Sequence, residues 1–99
     1  DAVHQAENRF GHTDCLINNA GYAKLGDFCE TLHDEHDRMI NVNILGVING
    51  IETVLSGMRE RKSGTIINVS SVADRNARPN GATYAATKAA IKSLTESLR

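Results

Sequence analysis

Ninety-nine residues, 40% apolar and 23% charged, suit one small domain of ordinary globular composition with a modest core. A formal net charge of -1 gives no support for nucleic acid or an anionic membrane surface as partner. Asn, Gly and Glu interrupt the apolar stretches, so none nears the ~20 residues of a membrane helix, and no cationic segment leads into an apolar signal region.

Residues 1–10 read as the closing turns of a helix, with Val3, Ala6 and Phe10 on one face and Gly11 as the stop. Cys15-Leu16-Ile17 is a short continuous apolar run ended by Asn18-Asn19-Ala20-Gly21. It predicts a strand buried on both faces, as in a parallel sheet. Residues 22–30 form a loop, with glycines at 21 and 26. Thr31, three residues ahead of Asp34, predicts a capped helix start. From there Met39, Ile40, Val42, Val47, Ile51, Val54, Leu55 and Met58 recur at helical spacing. Basic residues at 59, 61 and 62 suit the negative end of the helix dipole, and Gly64 closes the helix. Residues 65–69 are β-branched and apolar apart from Asn68, which predicts a second buried strand. A polar loop with Arg75, Arg78, Pro79 and Gly81 follows, and residues 82–99, rich in Ala, Lys, Leu and Glu, form a final helix.

Helix, strand, helix, strand, helix predicts an α/β fold: a doubly wound parallel sheet with helices on both faces and right-handed crossovers. Two strands leave sheet edges open. The chain also starts and stops inside helices, so the expectation is an internal part, residues 1–99, of one longer domain. Cys15 and Cys29 form neither a C-x-x-C pair nor a disulfide framework, which suggests reduced thiols in a cytoplasmic protein. The sequon at 68–70 falls in the strand pattern and is discounted.

Tyr84 and Lys88, four apart on the last helix, share one face. A phenol normally keeps its proton to about pH 10. A nearby ammonium stabilises the phenolate, which makes such a phenol a usable acid and base near neutrality. Alone, that pair is more simply an aromatic edge and a solvated charge. Ser70 and Ser71 follow the second strand, and ligands of open α/β sheets bind at the carboxyl ends of strands. A hydroxyl there could bind a carbonyl oxygen that Tyr84 protonates; a loop-start cap is the plainer reading. Asn43 is an amide on an otherwise apolar helical face, either a hydrogen-bond node or a site member.

Asn18-Asn19-Ala20-Gly21, Asn43, residues 64–71 and Tyr84-x-x-x-Lys88 stand in this order and at these intervals. With them the chain resembles the short-chain dehydrogenase/reductase family along nearly its whole length. That resemblance implies a Rossmann-type fold and NAD(P)-dependent interconversion of a secondary alcohol and a carbonyl. It makes Tyr84 the general acid and base. Lys88 would support the phenolate and hold the nicotinamide ribose. Ser71, rather than Ser70, would orient the substrate oxygen, and Asn43 would anchor a water that links Lys88 to solvent. Asn19, with Ala20 and Gly21, would lie beside the adenosine half of the cofactor and brace the sheet. The resemblance leans toward NADP and implies a homodimer or homotetramer packed through the helices at 32–62 and 82–99. The family's glycine-rich phosphate turn has no counterpart here; Gly46 and Gly50 lie within a helix and suit close packing. A catalytically silent nicotinamide sensor, or an inactive piece of an enzyme, are the rival readings. His33 and His36 among acids lack a zinc spacing, no G-x-S-x-G elbow surrounds the serines, and Arg75 and Arg78 read as surface residues.

Overall fold

Two short strands, β1 (Cys15–Asn18) and β2 (Thr65–Asn68), run parallel, with Cys15 opposite Thr65 and Asn18 opposite Asn68. The structure is a computed structural model, and it describes residues 2–69 and 80–98. Around the strands lie α1 (Ala2–Phe10), α2 (His33–Ile40), a π-helical turn (Asn41–Leu45), α3 (Gly46–Arg61) and α4 (Ala82–Ser97). The order is the alternating one that the sequence predicts.

The core forms where α3 meets α4. Val47 and Ile51 pack against Ile91, and Leu55, Ile66, Leu94 and Leu98 close around them. Burying such a side chain contributes roughly 1.5–3 kcal/mol, so these few contacts dominate the packing. Leu16 and Ile66 meet the helices from the sheet, whereas Ile17 and Ile67 on the opposite face are 58% and 45% exposed. The sequence placed helices on both faces; within this chain α3 and α4 share one.

Several local expectations change. Thr31 does not cap α2: its hydroxyl donates to the Asp27 carbonyl, 2.9 Å away, and closes a 3-10 turn at Phe28–Glu30. Leu32 stands at the N-cap of α2 without a side-chain bond. At the far end the left-handed residue is Lys62, not Gly64, with φ 56°. Its N–H reaches the Arg59 carbonyl and the Ser63 N–H reaches that of Met58, the paired bonds of a Schellman ending. Gly64 follows at φ 151°, where a Cβ would fall 2.4 Å from Met58 Cγ. Gly11 stops α1 as expected, at φ 93°, with its N–H on the Glu7 carbonyl. The Glu7 carboxylate then accepts both the N–H and the hydroxyl of Thr13, which holds its pKa below the usual carboxylate value.

Residues 33–61 form one continuous helix interrupted only by the π turn, where the Gly46 N–H reaches the Asn41 carbonyl five residues back. The wider turn keeps Met39, Asn43 and Val47 inward at four-residue steps. By length and composition this helix could cross a membrane, which inspection of unbroken apolar runs did not reveal. Its inner face is committed instead to α4 and the sheet through Val47 and Ile51, and to a loop through Asn43. It is a core helix.

Candidate active site

Both strands end in asparagine, and the two side chains meet. Asn18 Nδ2 donates to Asn68 Oδ1 at 2.8 Å, and Asn68 Nδ2 donates to Thr95 Oγ1 at 2.9 Å. Thr95 donates in turn to the Ile91 carbonyl. The sheet and α4 are thereby tied through polar atoms that each have a partner. Gly50 makes room for this, because a Cβ there would lie 2.8 Å from Asn18 Oδ1. Close packing expected of both glycines holds at Gly50; a Cβ on Gly46 would meet only the Asn41 carbonyl, at 3.5 Å. Bracing of the sheet, expected of Asn19, falls to Asn18. Asn19, Ala20 and Gly21 are exposed where the chain leaves β1.

The π turn delivers the next contact. Asn43, 1% exposed, accepts the Tyr22 N–H at 2.8 Å and donates to the Tyr22 carbonyl at 2.9 Å and to Thr87 Oγ1 at 3.0 Å. Thr87 donates to the Tyr84 carbonyl at 2.7 Å. One amide thus joins the loop after β1 to the helix that bears Tyr84. The Tyr22 phenol donates to the Glu35 carboxylate, which raises its pKa above the ordinary phenol value. The Arg38 guanidinium lies over the same ring, 4.2 Å from its centroid.

Tyr84 and Lys88 lie one turn apart on α4. Tyr84 is half-buried, and Lys88 is only 6% exposed. Lys88 Nζ stands 5.8 Å from the Tyr84 ring centroid and 3.4 Å from the Val69 carbonyl, just beyond β2. A Cβ on Gly21 would be 3.6 Å from both Lys88 Nζ and Asn43 Oδ1, so the loop after β1 abuts the ammonium. An ammonium has three donors. Among the described residues its one hydrogen-bond partner is that carbonyl, at a long distance. A buried cation held among the described residues by one long carbonyl contact, beside a glycine at the strand ends, fits the hydroxyls of a nucleotide ribose.

The structure therefore brings Asn43, Tyr84, Lys88 and the 19–21 loop to one place. Ser70, Ser71, Arg75, Arg78 and Pro79 lie outside the described residues. His33 faces Asp37 at 3.4 Å and His36 faces Thr83 at 2.8 Å; the two rings serve different partners. Sequence reasoning missed Asn18–Asn68, Tyr22, Thr87 and His36. The first had a signal, an amide at the same end of each strand; the others are contacts between residues 13 to 47 apart in sequence that no spacing announces.

Comparison with known proteins follows the same line. The family model for short chain dehydrogenases matches residues 1–99. An uncharacterised oxidoreductase of Staphylococcus saprophyticus is 46% identical over 97 residues, which are 98% of this chain and 39% of the relative. Oxidoreductase UcpA of Escherichia coli is 45% identical over 98 residues, 98% of this chain and 37% of its own length. A gluconate 5-dehydrogenase of Burkholderia cenocepacia, solved in complex with NADP and tartrate, superposes with TM-score 0.92 at 38% identity. That match covers 98% of this chain and 38% of the enzyme. The apo form of LigO from Sphingobium superposes with TM-score 0.93 at 40% identity, over 99% of this chain and 37% of its own. The chain thus spans somewhat over a third of the length of these relatives, and its fold is the corresponding part of their Rossmann-type sheet. With the whole chain matched and the parallel strands, Tyr84 and Lys88 in place, it belongs to the short chain dehydrogenase family.

Proposed function

We propose that this chain supplies the acid/base centre of an NAD(P)-dependent oxidoreductase that interconverts a secondary alcohol and a carbonyl compound. The observation that carries the reading is the buried Lys88 ammonium, set between the Tyr84 ring and the loop at Gly21. In reduction Tyr84 gives its proton to the carbonyl oxygen; in oxidation it takes the proton of the alcohol. Lys88 sets its positive charge one helical turn from Tyr84 and offers N–H donors to ribose hydroxyls. Asn43 holds the Tyr22 backbone and so keeps the 19–21 loop against that ammonium. In this reading Ser71 orients the substrate oxygen. When bound, the nicotinamide supplies or accepts the hydride. NADP is the cofactor we favour, since the Burkholderia enzyme was solved with it. A cytoplasmic setting belongs to the same reading.

Tyr84→Phe in the product of the complete reading frame tests this. Turnover should fall by roughly 10²-fold or more while cofactor binding persists. Undiminished turnover would dismiss Tyr84 as the acid. A nicotinamide sensor would instead bind cofactor and show no turnover before the substitution.

The same reading includes a homo-oligomer packed through α2, α3 and α4. Ile40 and Leu45, 40% and 46% exposed, together with a shallow groove between Ile44 and Ala86, support it. Light scattering should return a dimer or tetramer; a monomer at micromolar concentration would refute it.

A further inference from the structure

We infer that His36 is a positioning residue for Tyr84, acting through Thr83. The first turn of α4 carries Tyr84 yet has no side-chain cap, with Gly81 at its N-cap. First-turn N–H groups lack partners within a helix, and such ends open most readily. Among the described residues, two ties from outside hold this one. The Gly26 N–H donates to the Asn80 carbonyl at 2.8 Å, just ahead of the helix. His36 Nδ1 stands 2.8 Å from Thr83 Oγ1, on the residue that precedes Tyr84. The His36 ring is half-buried and lies against Phe28, with centroids 4.7 Å apart, so its direction is fixed from a second side. Its neighbour Glu35 receives the Tyr22 phenol. Two successive side chains of α2 therefore hold the two segments beside the Lys88 ammonium, the Gly21–Tyr22 loop and the Tyr84 turn.

A displacement of about 1 Å at a reacting group can cost about 10²-fold in rate. His36 itself touches neither Lys88 nor the 19–21 loop among the contacts described, so its loss should lower kcat and spare the KM for cofactor. The inference rests on the reading of Tyr84 as acid and base.

Three variants of the full reading-frame product test it. His36→Phe keeps a ring against Phe28 but offers Thr83 no nitrogen. Thr83→Val removes the hydroxyl at similar volume, and His36→Asn returns an amide near the place of Nδ1. We expect His36→Phe and Thr83→Val each to lower kcat about tenfold with cofactor KM within about twofold. The double variant should be no slower than either, since both remove one contact. His36→Asn should recover kcat to within about threefold of the wild type. Single-variant kcat values within about twofold of wild type, or losses that multiply in the double variant, would overturn the inference.

Tyr84→Phe, assayed alongside, separates this from the functional reading. If it abolishes turnover while His36→Phe and Thr83→Val leave kcat intact, only the positioning role falls. If turnover survives it, or none is found with any substrate, amide hydrogen exchange at residues 85–88 decides the positioning. Faster exchange in His36→Phe and Thr83→Val, slowed again in His36→Asn, supports it; unchanged exchange overturns it.

Discussion

Replacing Asn43 with leucine removes three hydrogen bonds at once: one accepted from the Tyr22 N–H, and two donated to the Tyr22 carbonyl and Thr87. Each net bond is worth about 0.5–1.5 kcal/mol, which sums to about 1.5–4.5 kcal/mol for the set. The site is 1% exposed, so the partners begin without water. Gly21 beside them is exposed, however, and the freed Tyr22 groups can swing toward solvent. Leucine also keeps the branched shape with the same number of side-chain heavy atoms and adds apolar contact. Both effects move the expected loss to the lower half, about 1.5–3 kcal/mol, or about 10- to 10²-fold in the folding equilibrium. Urea unfolding of the full reading-frame product, followed by circular dichroism, measures it as a shift in midpoint at constant slope. Thr87→Val gives the control: combined with Asn43→Leu it should add less than its separate effect, a coupling of about 1 kcal/mol. Should Asn43→Leu unfold within about 0.5 kcal/mol of the wild type, Asn43 is no node and the loop at Gly21 is held by something else.

Gly64→Ala should destabilise by about 2–4 kcal/mol, because φ is 151° there and the new Cβ would meet Met58 at three atoms, its own Cβ among them. Thermal unfolding checks this, and a loss under about 1 kcal/mol would mean that the turn rearranges freely. Glu7 gives a pH effect of defined sign. Its pKa is depressed by the Thr13 bonds, so its contribution is present above the unfolded-state pKa and disappears as pH falls through the folded value. Glu7→Gln should therefore flatten the decline in stability between about pH 5 and about pH 3; an unaltered decline would show that the Thr13 contacts carry no linkage.

The element order was legible because the Cys15–Ile17 and Thr65–Val69 runs are short and apolar, while Met39 to Met58 repeats at helical spacing. Tyr84 and Lys88 were legible as a pair because four residues of helix fix their common face. Where the reading failed, two local groups competed for one role. Thr31 had both a helix start ahead and the Asp27 carbonyl behind, and it took the second. Gly64 was the natural terminator, but Lys62 accepts the left-handed conformation two residues earlier. Asn43 stood undecided between node and site, because an inward amide reveals nothing of its partners until Tyr22 and Thr87 are in place. His36 carried no signal of its partner, since Thr83 is 47 residues away in sequence. Asn19 drew the bracing role that Asn18 performs, because consecutive asparagines differ only in which side of the pleat they occupy.

The π turn leaves the long helix with one residue more than a regular α-helix would hold there. Deleting Ile44 or Leu45 would restore unbroken α-helical bonding and set Met39 and Val47 seven residues apart, about 700° or within about 20° of two full turns. Met39, Asn43 and Val47 would still face inward together. Elsewhere in the helix the same deletion would rotate one half against the other by about 100°. Within residues 33–61, length variation among functional variants should accordingly gather at the irregular turn.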